Sequence, residues 1–293
     1  MDEPLTVVYR SRRRRRCEER QLVLTAVGIN AFIVTGAYEC RLEVAAEDAP
    51  AALEQLAQYE AENVPPPPLP PAAPLDPDAW IGCTLYVLVL MGVAAALSQG
   101  LVRLDAFDVG ELDSTAVQAG QWWRSLTALT LHVDGPHLAA NLVAGVWFGY
   151  LAGRQMGVGM AWLVTVIAAG LANLAEALLG APGHHSVGAS TAVFAALGAM
   201  AAFSWRERLG RAQRWARRWA PLIAGVALLG WTGSAGEGTD VMAHIGGFVA
   251  GVLSGALIAR PRVRAQLARL PQWLYGALAL SALALAWALA LRS

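Results

Sequence analysis

The chain has 293 residues, 56% of them hydrophobic and 15% charged, with a formal net charge of zero. A soluble domain carries about 25% charged residues, so much of this surface never meets water; no bulk basic character points to nucleic acid, none is expected as a partner, and the arginines matter by position. Cys17, Cys40 and Cys83 form no CxxC pair and no metal-ligand spacing, and an odd count argues against a disulfide framework; they read as free structural thiols.

The N-terminus opens with acids followed by Arg12 to Arg16, with no apolar run before a cleavage site, unlike a signal peptide. Thr6 to Tyr9 suit a strand. Gln21 to Val34 is apolar but broken by Gly28 and Asn30, which predicts a helix, a turn and a strand. Tyr38 to Val44 alternates like another strand, and AALEQLAQYEAEN has apolar residues at helical spacing. Residues 1–62 thus predict a small α/β module, weakly similar to ferredoxin-like modules at the N-termini of some membrane proteins. Residues 63–78 form a proline-rich linker, Pro65 to Pro71 being interrupted only by Leu69, which reads as a semi-rigid extended spacer.

Beyond the linker, apolar runs approach the roughly 20 residues that a helix needs to cross the hydrocarbon core. They lie near 80–102, 136–153, 157–179, 188–205, 219–235, 240–259 and 272–291, the second and fifth being short. Arg103 to Gly135, between the first two, is amphipathic and reads as a structured interfacial loop, with Trp122 and Trp123 suited to the membrane surface. Arginine placement orients the bundle. Arg12 to Arg16, Arg154, the group Arg206, Arg208, Arg211, Arg214, Arg217 and Arg218, and the group Arg260, Arg262, Arg264 and Arg269 all fall on one side, the cytoplasmic one by the positive-inside rule. The expected product is a multi-pass protein of the lipid bilayer, in a bacterial cytoplasmic membrane, with a cytoplasmic N-terminus.

Polar residues within a bilayer are costly and mark functional positions. His137 and Asn141 open the second helix at its outer end, Ser190 opens the fourth, and His244 lies one turn into the sixth. Separately, Ser190 reads as well as a packing or capping serine, and His244 as a buried neutral histidine bonded to a carbonyl. Together they reach one depth on one side, where a serine beside a histidine suits nucleophilic catalysis and two donors four residues apart suit an oxyanion. Gly247 and Gly251 let another backbone approach the sixth helix closely. Asp240, four residues before His244, suits a helix cap with Thr239 better than a third catalytic group. The histidines His132, His137, His184, His185 and His244 fall on the outer side too. With no HExxH and no carboxylate partner evident, no metal and no cofactor are expected.

His132-x4-His137-x3-Asn141, Gly188-x-Ser190 and Ala243-His244-x2-Gly247-x3-Gly251 resemble, in order and spacing, the signature of rhomboid intramembrane serine proteases, and Trp123-Arg124 resembles the Trp-Arg pair of that family's first loop. The resemblance covers about 80–260 and implies an all-α polytopic membrane protein, a rhomboid-like six-helix core plus one C-terminal helix, behind the small N-terminal α/β module. It implies a serine endopeptidase that cuts transmembrane segments of membrane proteins with a Ser190–His244 dyad. His137, Asn141 and the Ser190 N–H would form the oxyanion hole, Phe194 would support the histidine ring, His132 would buttress the first loop, and Gly188 would permit the tight turn. The family usually has glycine after the serine, where this chain has Thr191; its bulk would be housed beside Gly246. Two other readings stay open. One is a catalytically inactive rhomboid-like protein that binds transmembrane helices, and the other is a transporter, against which stands the lack of two similar halves with broken helices. The partner of the N-terminal module is not identified by its sequence.

Overall fold

The computed structural model describes residues 4–36, 38–63, 75–100, 106–207, 215–232 and 240–293. Most of the linker, the arginines Arg208, Arg211 and Arg214, Thr239 and the end of the expected fifth span lie outside the described residues. The chain divides into two compact units, Met1–Pro70 and Pro71–Ser293.

In the first unit, β1 (Leu5–Ser11), α1 (Arg14–Ala26), β2 (Ala31–Thr35), β3 (Cys40–Ala45) and α2 (Ala49–Glu62) follow in order. The sheet order is β1-β3-β2 with both pairings antiparallel, so β1 and β2 run parallel with β3 between them, a split β-α-β arrangement. Gly28, at φ +83°, makes the turn out of α1 that the sequence marks at this point. The strand alternation of β3 buries Cys40, Leu42 and Val44, and Leu42 and Val44 meet Val8, Leu24, Ala52 and Leu56 in one apolar core. Cys17 is fully buried and its thiol points to the Cys40 carbonyl. Burial pushes the Cys17 thiol pKa up. All three cysteines are free.

The second unit is a helical bundle. It runs through α3 (Ala79–Ser98), α4 (Ala106–Gly110), β4 (Leu112–Asp113), α5 (Ser114–Gln118), α6 (Arg124–Thr127), a 3₁₀ turn (Ala128–Thr130), α7 (Gly135–Met156) and α8 (Val158–Leu179). Then come β5 (His185–Ser186), α9 (Ser190–Glu207), α10 (Trp215–Thr232), α11 (Val241–Ile258), α12 (Pro261–Leu267) and α13 (Gln272–Ala290). The seven long helices coincide with the seven expected spans to within a few residues. Four, α3, α8, α11 and α13, are long and apolar enough to cross a membrane by length and composition alone. The other three carry polar ends: His137 and Arg154 on α7, Arg206 and Glu207 on α9, Arg217 and Arg218 on α10, whose apolar stretch is Trp219–Trp231. Large apolar side chains such as Leu88, Val143, Trp147, Leu171 and Leu253 stand exposed on these helices, as a lipid-facing surface requires. This is a multi-pass membrane protein.

Helix α9 is the axis of the unit. It is buried over almost its whole length and packs against α7, α8, α10 and α11. Its contact with α11 is built from small residues at four-residue spacing. A Cβ at Gly247, Gly251 or Gly255 would run into the carbonyl oxygen of Thr191, Ala195 or Ala199, and a Cβ at Gly198 would meet the Phe248 carbonyl in return. With no side chain between them the two backbones touch, the close approach that small residues permit in membranes.

From Ala106 on, the segment before α7 is structured, as expected, but its two tryptophans part company. Trp122 is 44% exposed, whereas Trp123 packs inward against the central apolar cluster of Leu126, Val166 and Ala195. Arg124 is buried and donates to the carbonyls of Asp108 and Glu111 and to Gln121, tying the segment to itself.

Candidate active site

The site grows from three helix starts. Asp134 caps α7 by accepting from the His137 N–H at 2.7 Å, which fixes His137 in the first turn and Asn141 one turn further in. Asn141 is buried, and its amide donates to the His137 carbonyl at 3.1 Å. Gly188 takes φ +132°, a conformation that favours glycine. A Cβ there would sit 2.7 Å from the His137 ring and 3.7 Å from Ser190 Oγ, so the missing side chain is what lets His137 lie beside the serine.

His132 acts on the same turn. Its Nε2 accepts from the Ala189 N–H at 3.3 Å, and its ring lies 5.1 Å from that of His137. The resemblance implies support of the first loop. The hydrogen bond to Ala189 shows that His132 also holds the residue directly before Ser190. Burial, with His137 beside it and against the pull of the Thr130 carbonyl, pushes the His132 pKa down to about 4, so the ring is neutral and able to accept.

Ser190 begins α9, where backbone N–H groups lack helical partners and the helix dipole favours negative charge. Phe194, one turn later, lies 4.6 Å from the His244 ring at an angle of 38°. His244 is 7% exposed, one turn into α11. Ser190, His244, His137, Asn141 and Phe194 all line one open cavity of about 1120 Å³, which His184, His185 and Asp240 also line.

Asp240 caps α11 by accepting from the Ala243 N–H at 3.0 Å, and its other oxygen lies 3.0 Å from His184 Nε2. Through His184 it is tied to the loop before Ser190. Burial raises its carboxyl pKa, but hydrogen bonds from Ala243 and Ser186, and His184 nearby, leave it lowered overall.

Two expectations need correction, and one feature is new. Gly246 does not face Thr191; a Cβ there would meet Ala172 of α8 at 3.5 Å, an ordinary contact, and Gly247 is the residue against Thr191. One position on a helix is about 100° of rotation, enough to send neighbouring glycines to different helices. Nor do the histidines lack carboxylate partners. His184 meets Asp240 and Glu176, and His185 meets Glu111 at 2.8 Å. Finally, the short ladder of β4 and β5, pairing Leu112 with Ser186 and Asp113 with His185, ties the early segment to the loop before Ser190. Two-residue strands leave too little alternation to be read from sequence.

Residues 119–261 match the Rhomboid domain model, across the stretch that supplies His137, Ser190 and His244. The chain carries a rhomboid domain. It is 31% identical to "Rhomboid protease GluP" of Bacillus subtilis (strain 168), over 53% of this chain and 30% of that one. It is 32% identical to "Rhomboid-like protease 3" of Toxoplasma gondii, over 59% of this chain and 65% of the relative, and 30% identical to "RHOMBOID-like protein 1" of Arabidopsis thaliana, over 55% and 40%. The chain thus spans less than two thirds of the length of each of these rhomboid relatives.

Proposed function

We propose that this rhomboid-domain chain is an intramembrane serine endopeptidase that cleaves transmembrane segments of other membrane proteins. The observation that supports it most is the shared cavity: a serine at a helix start, a histidine from another helix and two polar side chains of a third line one open cavity.

On this reading Ser190 Oγ attacks the scissile carbonyl while His244 takes its proton. The negative charge that develops on the carbonyl oxygen is met by donors from His137, Asn141 and the Ser190 N–H. As the tetrahedral species collapses, His244 gives the proton to the leaving amine, and water entering by the open cavity then hydrolyses the acyl-enzyme. A dyad is favoured over a triad because Asp240 is occupied by Ala243 and His184. Phe194, against the His244 ring, acts as a positioning residue. The arginine asymmetry gives a cytoplasmic N-terminus and a cavity that opens to the outer side. Substrate backbone in lipid keeps its hydrogen bonds as helix, so segments with small or helix-breaking residues, which unwind locally, are the preferred substrates.

The test is incubation of the purified chain in detergent with a generic single-pass membrane protein. The wild type cleaves and Ser190→Ala does not; full cleavage by Ser190→Ala overturns the serine mechanism. Thr191 favours the second reading, a non-cleaving binder of transmembrane helices. That reading wins if the wild type is inert and Thr191→Gly switches cleavage on.

A further inference from the structure

Three ionisable side chains that the proposed reaction does not use meet near the mouth of the cavity. Glu176 comes from the last turn of α8, His184 from the loop before Ser190, and Asp240 from the cap of α11. One ligand atom from each lies within 4.8 Å of the other two. His184 Nε2 stands 3.0 Å from Asp240 Oδ2 and 3.7 Å from Glu176 Oε1. The two carboxylates are largely buried, Glu176 being 13% and Asp240 18% exposed, and His184 is 36% exposed. Among the described residues no lysine or arginine pairs with either carboxylate.

Two features point to a cation here. Glu176 Oε2 is fully buried and has no hydrogen-bond partner, although a buried carboxylate oxygen without one is costly. Asp240 and Glu176 also meet each other side chain to side chain, a contact that needs either one proton or one cation between two carboxylates. The neighbourhood is pre-shaped for an ion. The His184 backbone N–H is held by Ser114 Oγ at 2.9 Å, and the second Asp240 oxygen by the Ala243 N–H, so both ligands are oriented by partners of their own.

We propose that Glu176, His184 and Asp240 bind one divalent transition-metal ion of the zinc class. Two carboxylate oxygens and one imidazole suit zinc, whereas calcium takes six to eight oxygens and magnesium an octahedral oxygen set. Three protein ligands leave a fourth position, and since His184 and Asp240 line the open cavity, water fills it and the ion has a way in. Tetrahedral bonds of about 2.0–2.2 Å set ligand atoms roughly 3.4 Å apart, so the His184–Asp240 pair opens slightly and the His184–Glu176 pair closes. The ion would join α8, the turn that presents Ser190 and the cap of the helix that carries His244. It is a clamp on the site's architecture, not a participant in peptide cleavage, and its binding does not depend on whether the chain is a protease.

The experiment uses the full chain in detergent, stripped with EDTA, exchanged into metal-free buffer at pH 7.5 and titrated calorimetrically with ZnCl₂. One ion per chain binds, and the thermal unfolding temperature rises with it. Glu176→Gln, Asp240→Asn and His184→Gln, each close in shape to the original, weaken binding at least tenfold, whereas His185→Gln and His132→Gln do not. X-ray absorption of the zinc-loaded wild type needs no variant and shows a single imidazole with oxygen ligands. Absence of saturable binding overturns the site. So does binding unchanged in the three variants, or a zinc shell with two or more imidazoles, which would place the ion among the other histidines.

Discussion

Gly247 of α11 lies directly against the backbone carbonyl of Thr191, the residue that follows Ser190. This contact sets how near the helix carrying His244 comes to the helix that begins with the serine. Any side chain at 247 must push the two apart, whereas one at 246 faces only the Ala172 methyl at 3.5 Å. Gly247→Ala is therefore expected to lower cleavage more than tenfold and to destabilise by about 1–3 kcal/mol. Gly246→Ala stays near wild type in both. Equal losses in the two variants would remove the packing account.

Thr191 itself is 3% exposed, and Gly247 leaves room for its methyl, which would come within 3.1 Å of a Cβ at that position. The threonine is accommodated by the glycine opposite. Thr191→Gly should alter the cleavage rate by less than about tenfold, or 1.4 kcal/mol of barrier, as measured by steady-state cleavage of one substrate.

The folded pKa of His132, about 4, lies below the ordinary histidine value of 6.5. Folding therefore favours the neutral ring, and between these values the unfolded chain binds more protons than the folded one. The stability His132 contributes is complete above pH 6.5 and is lost as pH falls towards 4. Thermal unfolding across that range should show the decline in the wild type and a shallower one in His132→Gln, whose side-chain oxygen still accepts from Ala189. Parallel curves would mean that His132 does not carry the effect.

Phe194→Ala should reduce kcat with little change in KM, since its ring touches His244 and the proposal gives it no contact with substrate. Phe194→Tyr and Phe194→Leu separate the causes: if a ring is what matters, only the first restores the rate. A KM increase at constant kcat would make Phe194 a substrate contact instead.

Residues 1–70 form a compact unit with a core of its own. A chain lacking them should cleave a generic substrate in detergent within about threefold of the full chain, at a rate difference worth under 1 kcal/mol. A loss beyond tenfold with the bundle still folded would join the module to the catalytic unit.

Much of the bundle can be read in the sequence because lipid admits few solutions: apolar runs must be helices of membrane length. The polar residues that interrupt those runs, His137, Asn141, Ser190 and His244, are conspicuous for the same reason. What escapes is contact without periodicity. Arg124 satisfies itself on the carbonyls of Asp108 and Glu111, and carbonyls leave no trace in residue identity. Glu176, His184 and Asp240 come from three segments with no fixed spacing, so neither carboxylate points to the histidine until the chain is folded. The partners of Gly246 and Gly247 depend on where α8 and α9 stand around α11, which a single helix does not encode.

The glycines of α11 recur every four residues, as do the carbonyls they meet on α9. Such a pair of surfaces behaves as a ratchet. If α11 slides along α9 by a fraction of a turn, side chains ride up onto carbonyls; only a step of about 6 Å, four residues of helical rise, brings glycine back opposite carbonyl. The packing therefore favours one discrete register of the helices that carry Ser190 and His244, with the next matching register a whole notch away.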